Sequence, residues 1–150
     1  MVAGQLAGDF TVPRDAAQPL VFIAGGIGIT PFRSIIRDLI ERRERRSITL
    51  LYSNRTADEI AYREVFDLAA RQIGLRVIYT LTDASRAPRG WTGRVGRIDA
   101  AVIRAEIPDY AGRMFYLSGP NAMVEGFECT LLDMGVSPGK IRKDFFPGFA

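Results

Sequence analysis

Leu20-Val21-Phe22-Ile23-Ala24 is apolar without a break, runs into Gly25-Gly26-Ile27-Gly28, and is followed by Phe32, Ile35, Ile36, Leu39 and Ile40 at helical spacing. A continuous apolar run suits a strand covered on both faces rather than one half open to water. The spacing that follows predicts an amphipathic helix over 31–45, with Pro31 near its first turn. The pattern then recurs. Ile48 to Tyr52 reads as a second buried strand, and Thr56-Ala57-Asp58-Glu59 matches a capping box opening a helix that Gly74 ends. Leu75 to Leu81 is a third strand, followed by a polar loop over 83–97 that holds the lone Trp91. Asp99 caps a short helix through Ala105, stopped by Pro108. Met114 to Leu117 is a fourth strand, and Gly119-Pro120 opens a helix with Met123, Val124, Phe127, Leu131 and Leu132 inward and Gly135 at its end. Lys140 to Phe145 is a fifth strand. Alternating strands and helices predict an α/β fold: a five-stranded parallel, doubly wound sheet with helices on both faces.

Composition narrows the chemistry. The chain has 150 residues, no histidine and one cysteine. That excludes a Ser-His-Asp triad, a Cys-His pair, an internal disulfide and any Cys-rich metal site, so no metal is expected. Difficult chemistry, if there is any, belongs to a cofactor. The lone Cys129 falls mid-helix, away from every strand end, and reads as structural. The 20 basic residues are eighteen arginines and two lysines. They are scattered apart from Arg42, Arg43, Arg45 and Arg46, which fall where a helix ends and complement its dipole. With no basic stripe interleaved with aromatics, a nucleic-acid groove is not expected. No targeting segment or bilayer-length apolar run is present, so a cytoplasmic location is the expectation.

In open parallel sheets, ligands bind outside the carboxyl ends of the strands. After the first strand, Gly25, Gly26 and Gly28 allow a tight turn and a close backbone approach, and the helix over Ile29, Thr30 and Pro31 aims unpaired N–H groups at an anion. The spacing is neither a P-loop nor GxGxxG. After the second strand come Ser53 and Arg55, the latter able to meet a phosphate or stack on an adenine. After the third comes Asp83, able to accept from ribose hydroxyls and to disfavour a 2′-phosphate. Arg86 and Arg89 could reverse that preference. After the fourth come Ser118, Gly119 and Pro120, with Met123 one turn on. The chain ends in Asp144-Phe145-Phe146-Pro147-Gly148-Phe149-Ala150, where an aromatic on a Pro-Gly hinge could cover a flat ring.

In this order, these segments resemble the C-terminal NAD(P)-binding domain of the ferredoxin–NADP⁺ reductase family. The most specific parts are Ala24 to Phe32, Leu117 to Met123 and Asp144 to Phe149. The resemblance implies a Rossmann-like five-stranded sheet. It implies that Gly25, Gly26, Gly28 and Thr30 hold a pyrophosphate, that Ser118, Gly119 and Pro120 border the nicotinamide, and that Phe149 lies near a flavin ring. Ser118 and Phe149 are thus the residues expected at the reaction centre. Family members often carry Cys where this chain has Ser118. Asp83 resembles the residue of members that use NADH. Residues 1–13 resemble the last strand of a flavin-binding barrel (Gly4 to Val12), and 14–150 the nucleotide domain, so the chain looks like part of a longer reductase.

The function implied is the NAD(P)H-binding domain of a flavin-dependent oxidoreductase. Hydride would pass from NAD(P)H to FAD or FMN on a separate barrel domain, in cis or in trans. Electrons would then go to a redox protein such as a ferredoxin or another iron–sulfur or haem protein. The chain by itself would bind nucleotide with little turnover. A non-catalytic NAD(P)H-binding regulatory or docking module is the alternative, and a flavodoxin-like FMN carrier a further one.

Overall fold

The computed structural model describes residues 10–146. Its six-stranded sheet is formed by β1 (Leu20–Gly25), β2 (Ile48–Asn54), β3 (Arg76–Leu81), β4 (Arg94–Val95), β5 (Met114–Pro120) and β6 (Ile141–Phe146). The order is β4-β3-β2-β1-β5-β6, and every pairing is parallel. The helices are α1 (Ile29–Arg42), α2 (Arg63–Ile73), α3 (Ala100–Glu106) and α4 (Asn121–Asp133).

Side-chain alternation in β1 sorts the core into two layers. Leu20, Phe22 and Ala24 pack with Phe32, Ile36 and Leu39 of α1 and Phe66, Ala69 and Ile73 of α2. Val21 and Ile23 pack with Ile103 of α3 and Val124 and Leu131 of α4. Both faces of β1 are therefore sealed, as its unbroken apolar run requires. Phe22 and Phe32 stack with ring centroids 4.5 Å apart, and Tyr116 meets Phe22 edge-on at 5.4 Å. Phe10 closes the same cluster against Phe32 and Tyr116, and the Tyr116 hydroxyl donates to the Thr11 carbonyl at 2.7 Å. Phe10 to Pro13 therefore pack on the sheet domain; residues 1–9, which hold most of the segment resembling a barrel strand, lie outside the described residues.

The structure corrects the expected strand count. β4 is two residues long, flanked by Gly93 and Gly96, and pairs only Thr80 with Arg94 and Leu81 with Val95. Its place is set by side-chain anchoring of the loop. The Arg63 guanidinium lies 4.7 Å from the Tyr79 ring and 5.8 Å from Trp91, and the Trp91 indole N–H donates to the Arg94 carbonyl at 3.1 Å.

The capping box is also corrected. Ala57–Glu59 form a single 3-10 turn without a side-chain cap, and α2 starts only at Arg63, after Tyr62 at φ +62°. The Ala61 N–H goes to the Tyr52 hydroxyl (3.1 Å) and the Glu59 carboxylate takes the Arg55 N–H (3.1 Å). These competing partners stop a helix from propagating out of Thr56.

The arginine cluster divides. α1 ends at Arg42, with Arg43 in the left-handed region. Arg46, expected on a solvated helix end, is instead buried and donates to Glu44 (2.6 Å) and to the Pro13 and Asp15 carbonyls (2.5 and 3.3 Å). Two other expected signals hold, whereas Leu132, expected inward, is 40% exposed and Cys129, expected to be structural, lies exposed on α4. The Asp99 side chain accepts from the Val102 N–H at 2.9 Å, and Gly74 caps α2 at φ +78°. No helix among the described residues is long and apolar enough to cross a membrane.

Candidate functional site

The sheet's chain order reverses between β1 and β5, with α1 leaving on one face and α4 on the other. A crevice at such a switch point is the expected ligand position in this fold. The β1–α1 connection is a 3-10 turn, Gly26–Gly28, with Gly26 at φ +52°. α1 begins with no side-chain cap and no acidic residue in its first turn. Its N-terminal partial positive charge is therefore not neutralised locally, which favours an anion. A Cβ on Gly28 would overlap the Ser118 carbonyl and come within 2.8 Å of the Gly119 Cα. Gly28 thus allows the start of α1 to press against the end of β5. Ile29 is buried behind it, Pro31 is half-buried in the first turn, and the Thr30 hydroxyl donates to the Ile27 carbonyl at 3.2 Å.

Gly25 and Gly119 face a different neighbour from the one expected. The Met123 side chain, from the first turn of α4, lies over both, in the space a Cβ on either residue would need. The two glycines accommodate this thioether, so Met123 is the lid of the β1–β5 crevice as well as one of its walls. Pro120 is the N-cap of α4.

Ser118 is fully buried, and its Oγ has no hydrogen-bond partner among the described residues. Its register partner across β5 and β6 is Asp144. Asp144 is also buried, has an unpartnered Oδ2, and is pushed above the usual carboxylate range by desolvation. By strand alternation both side chains lie on the α1/α2 face. Sequence reading gave Asp144 no role of its own.

Two more orphaned groups share this edge. The Asn54 amide nitrogen ends β2 on the α1/α2 face, and the Thr80 hydroxyl ends β3 on the other. Neither was assigned a role from sequence. Buried polar atoms are almost always paired, so four along one edge of one sheet stand out; the Arg33 Nε and the Tyr79 hydroxyl are the other orphaned atoms among the described residues.

Two cavities flank the crevice. One of about 580 Å³ lies on the α3/α4 face, lined by Ser53, Arg97, Ile98, Pro120, Met123 and Phe127 among others. The other, of about 380 Å³, lies on the α1/α2 face between the start of α1 and Tyr52, Asn54 and Tyr62. Of the residues expected from sequence, Gly25, Gly26, Gly28, Ile29, Thr30, Ser53, Ser118, Gly119, Pro120 and Met123 converge on this edge. Arg55 and Asp83 lie on adjoining loops, joined by a hydrogen bond from the Asp83 N–H to the Arg55 carbonyl at 3.1 Å. Neither lines the two cavities. Arg55 is 65% exposed and faces Glu59 at 3.7 Å, and Asp83 accepts from the Ser85 hydroxyl at 2.6 Å. Phe149 lies outside the described residues. Sequence reading missed Arg97, Ile98 and Phe127. A strand after Trp91 would have pointed to the first two.

A parallel sheet with an uncapped helix and a glycine turn at its switch point defines a nucleotide-binding α/β domain. The chain belongs to the oxidoreductase NAD-binding domain family, whose model matches residues 22–128, and within it to the NAD-binding domains of ferredoxin–NADP⁺ reductase-like proteins. It is 35% identical over 126 residues to DmpP, the reductase component of phenol 2-monooxygenase from Pseudomonas sp. strain CF600, covering 83% of this chain and 35% of that protein. It is 29% identical over 143 residues to a Bacillus cereus flavohemoprotein, covering 93% and 35%. The crystal structure of the Amycolatopsis cytochrome P450 reductase GcoB superposes with a TM-score of 0.78 at 29% identity, over 93% of this chain and 41% of that one. The chain spans about a third of the length of the flavohemoprotein and of DmpP. Its family's members are oxidoreductases.

Proposed function

We propose that this chain is the pyridine-nucleotide domain of a flavin-dependent electron-transfer reductase, holding NAD(P)H across the carboxyl edge of its sheet. The observation that carries the reading is the set of unpartnered buried groups, Asn54, Thr80, Ser118 and Asp144, on both sides of one switch-point crevice. A ligand with a diphosphate, ribose hydroxyls and a carboxamide supplies the donors and acceptors this edge lacks, so the residues present fit it. The start of α1, from Gly26 to Thr30, holds the diphosphate through backbone N–H groups. Ser53, Pro120 and Met123 enclose the adenosine half in the larger cavity. Ser118, Gly119 and the near side of Pro120 border the nicotinamide, and Asp144 offers a buried carboxyl beside the Ser118 hydroxyl.

When bound, the nucleotide would supply a hydride to a flavin. This chain's residues orient, exclude water and bring the ring to the sheet edge, work that needs no histidine. The flavin belongs to a barrel domain supplied in cis or in trans. The electron acceptor is an iron–sulfur or haem protein. Asp83, on the loop after β3, favours NADH over NADPH by repelling a 2′-phosphate.

Calorimetric titration of the chain with NADH and NADPH tests the reading. One-to-one binding of either is expected, tighter for NADH, with Asp83→Ala narrowing the difference. Absence of binding to both would sink the proposal. An unchanged preference in Asp83→Ala would sink the role of that residue alone.

A further inference from the structure

Met123 brings a sulfur atom to the switch-point crevice. Its thioether lies over the glycines at the carboxyl ends of β1 and β5. A Cβ on Gly25 would overlap the sulfur, and one on Gly119 would stand 3.0 Å from the sulfur and 2.5 Å from the ε-methyl. The sulfur is therefore backed by main chain on its sheet side, with no room there for another atom. The side chain is half-buried and lines the cavity of about 580 Å³ together with Pro120 and Phe127, so a small solute in that cavity can reach it. The other sulfurs among the described residues are placed differently. Met114 begins β5 at the opposite edge of the sheet and packs on the α1/α2 core. Met134 ends α4 and packs on the other core, and Cys129 is exposed on α4 outside the lining.

A thioether is oxidised by peroxides to a sulfoxide, which is polar where the thioether was apolar. Oxygen transfer to Met123 forms one S–O bond, breaks the O–O bond of the peroxide and releases water, so the sulfur loses the two electrons that the peroxide gains. The new oxygen cannot point toward Gly25 or Gly119, where the thioether already fills the space. It has to project away from the sheet, into the cavity and across the mouth of the crevice. We propose that Met123 is a site of oxidation by hydrogen peroxide, and that its sulfoxide closes the crevice to the nucleotide. The proposal rests on the nucleotide reading above and adds to it a modification that turns binding off.

The test uses the full chain, hydrogen peroxide and NADH. Wild type, Met123→Leu, Met123→Gln and Cys129→Ser are titrated with NADH before and after the same peroxide treatment, with the peroxide removed first. The oxygen gained by each methionine is read from peptide masses. Met123 is expected to gain one oxygen ahead of Met114 and Met134. The NADH affinity of wild type is expected to fall about tenfold or more as it does so, the cost of setting a polar group in an apolar contact. Cys129→Ser is expected to lose affinity by the same factor. Met123→Leu, whatever its starting affinity, keeps it through the treatment, and Met123→Gln binds as weakly without peroxide as wild type does after it. If Met123 stays unoxidised while Met114 or Met134 gains oxygen, the site is overturned. If Met123 is oxidised and affinity holds, or if Met123→Leu loses as much as wild type, closure of the crevice is overturned while the nucleotide reading stands. If untreated wild type binds no NADH, the nucleotide reading falls and the closure with it.

Discussion

The two edges of the sheet treat polar groups in opposite ways. At the amino edge, where the strands begin, long basic side chains close the backbone. Arg113 donates to the Leu20 carbonyl (3.1 Å), the Ser47 hydroxyl (3.2 Å) and Asp109 (3.1 Å). Arg45 reaches the Gln72 carbonyl at the end of α2, Arg46 ties down Pro13 and Asp15, and Arg76 at the start of β3 ends on Glu106. At the carboxyl edge, Asn54, Thr80, Ser118 and Asp144 are buried with atoms unsatisfied. One edge is finished by the chain itself, and the other carries the unpartnered groups that the proposed nucleotide would meet. The contrast also accounts for part of the arginine excess, since several of these residues stitch the amino edge and do not bind a ligand.

Substitutions should split along that line. Arg46→Ala, which leaves the Pro13 and Asp15 carbonyls without their donor, is expected to cost about 2–3 kcal/mol, read from urea denaturation. A loss below about 1 kcal/mol would mean the amino edge is not held as argued. Gly28→Ala forces the start of α1 away from β5 and is expected to cost about 2 kcal/mol, with weaker NADH binding. Retention of full stability there would contradict the close contact with Ser118. At the unpartnered groups of the carboxyl edge the sign reverses. Thr80→Val removes an unsatisfied buried hydroxyl at constant shape and is expected to raise stability by about 1 kcal/mol, so a destabilised variant would show that the hydroxyl is satisfied in the folded chain.

The smallest effect is in pH dependence. The hydrogen bond from Arg94 holds Glu106 below the ordinary glutamate range. The stability Glu106 contributes is present above that range and is lost as pH falls through the lowered value. Asp144 runs the other way. Burial raises it, so the folded state bears a penalty that grows as pH rises from the ordinary aspartate range through the raised value. Denaturation midpoints followed against pH should therefore lose acid sensitivity in Glu106→Gln. In Asp144→Asn they should rise at neutral pH and stay level at the acid end. The same slope in wild type and Asp144→Asn would show that this carboxyl is solvated.

The amino-acid sequence revealed the scaffold better than the site. Leu20 to Ala24, Ile48 to Tyr52 and Met114 to Leu117 are read directly as strands because burial on both faces leaves no room for polar alternation. β4 could not be read, because two residues carry no period and the Arg63–Trp91–Tyr79 stack that positions them spans distant parts of the chain. The start of α2 failed for a similar reason, since the Tyr52 hydroxyl that takes the Ala61 N–H belongs to another element. The glycine turn and Ser118 were legible as chemistry after a strand. Asn54, Thr80 and Asp144 were not, because what distinguishes them is the lack of a partner, and that is a property of the folded neighbourhood. Met123 was legible as a position, but its place over Gly25 and Gly119 was not.

The pairing of β1 with β5 also bears on how the site is made. β1 meets β2 through residues 28 positions apart, as Leu20 with Ile48, but meets β5 through residues 94 positions apart, as Leu20 with Met114. Contacts that close long loops form late, because the chain must give up more entropy before they return any free energy. The switch-point crevice is the seam between those two strands, so during folding it is expected to be the last part of the sheet to assemble. Folding-rate measurements on Ser118 and Phe115 variants should return transition-state values near zero, and those on Leu50 variants higher ones. A ribosome-bound chain that has not yet released Pro120 would carry β1, β2 and β3 without any place to put a nucleotide.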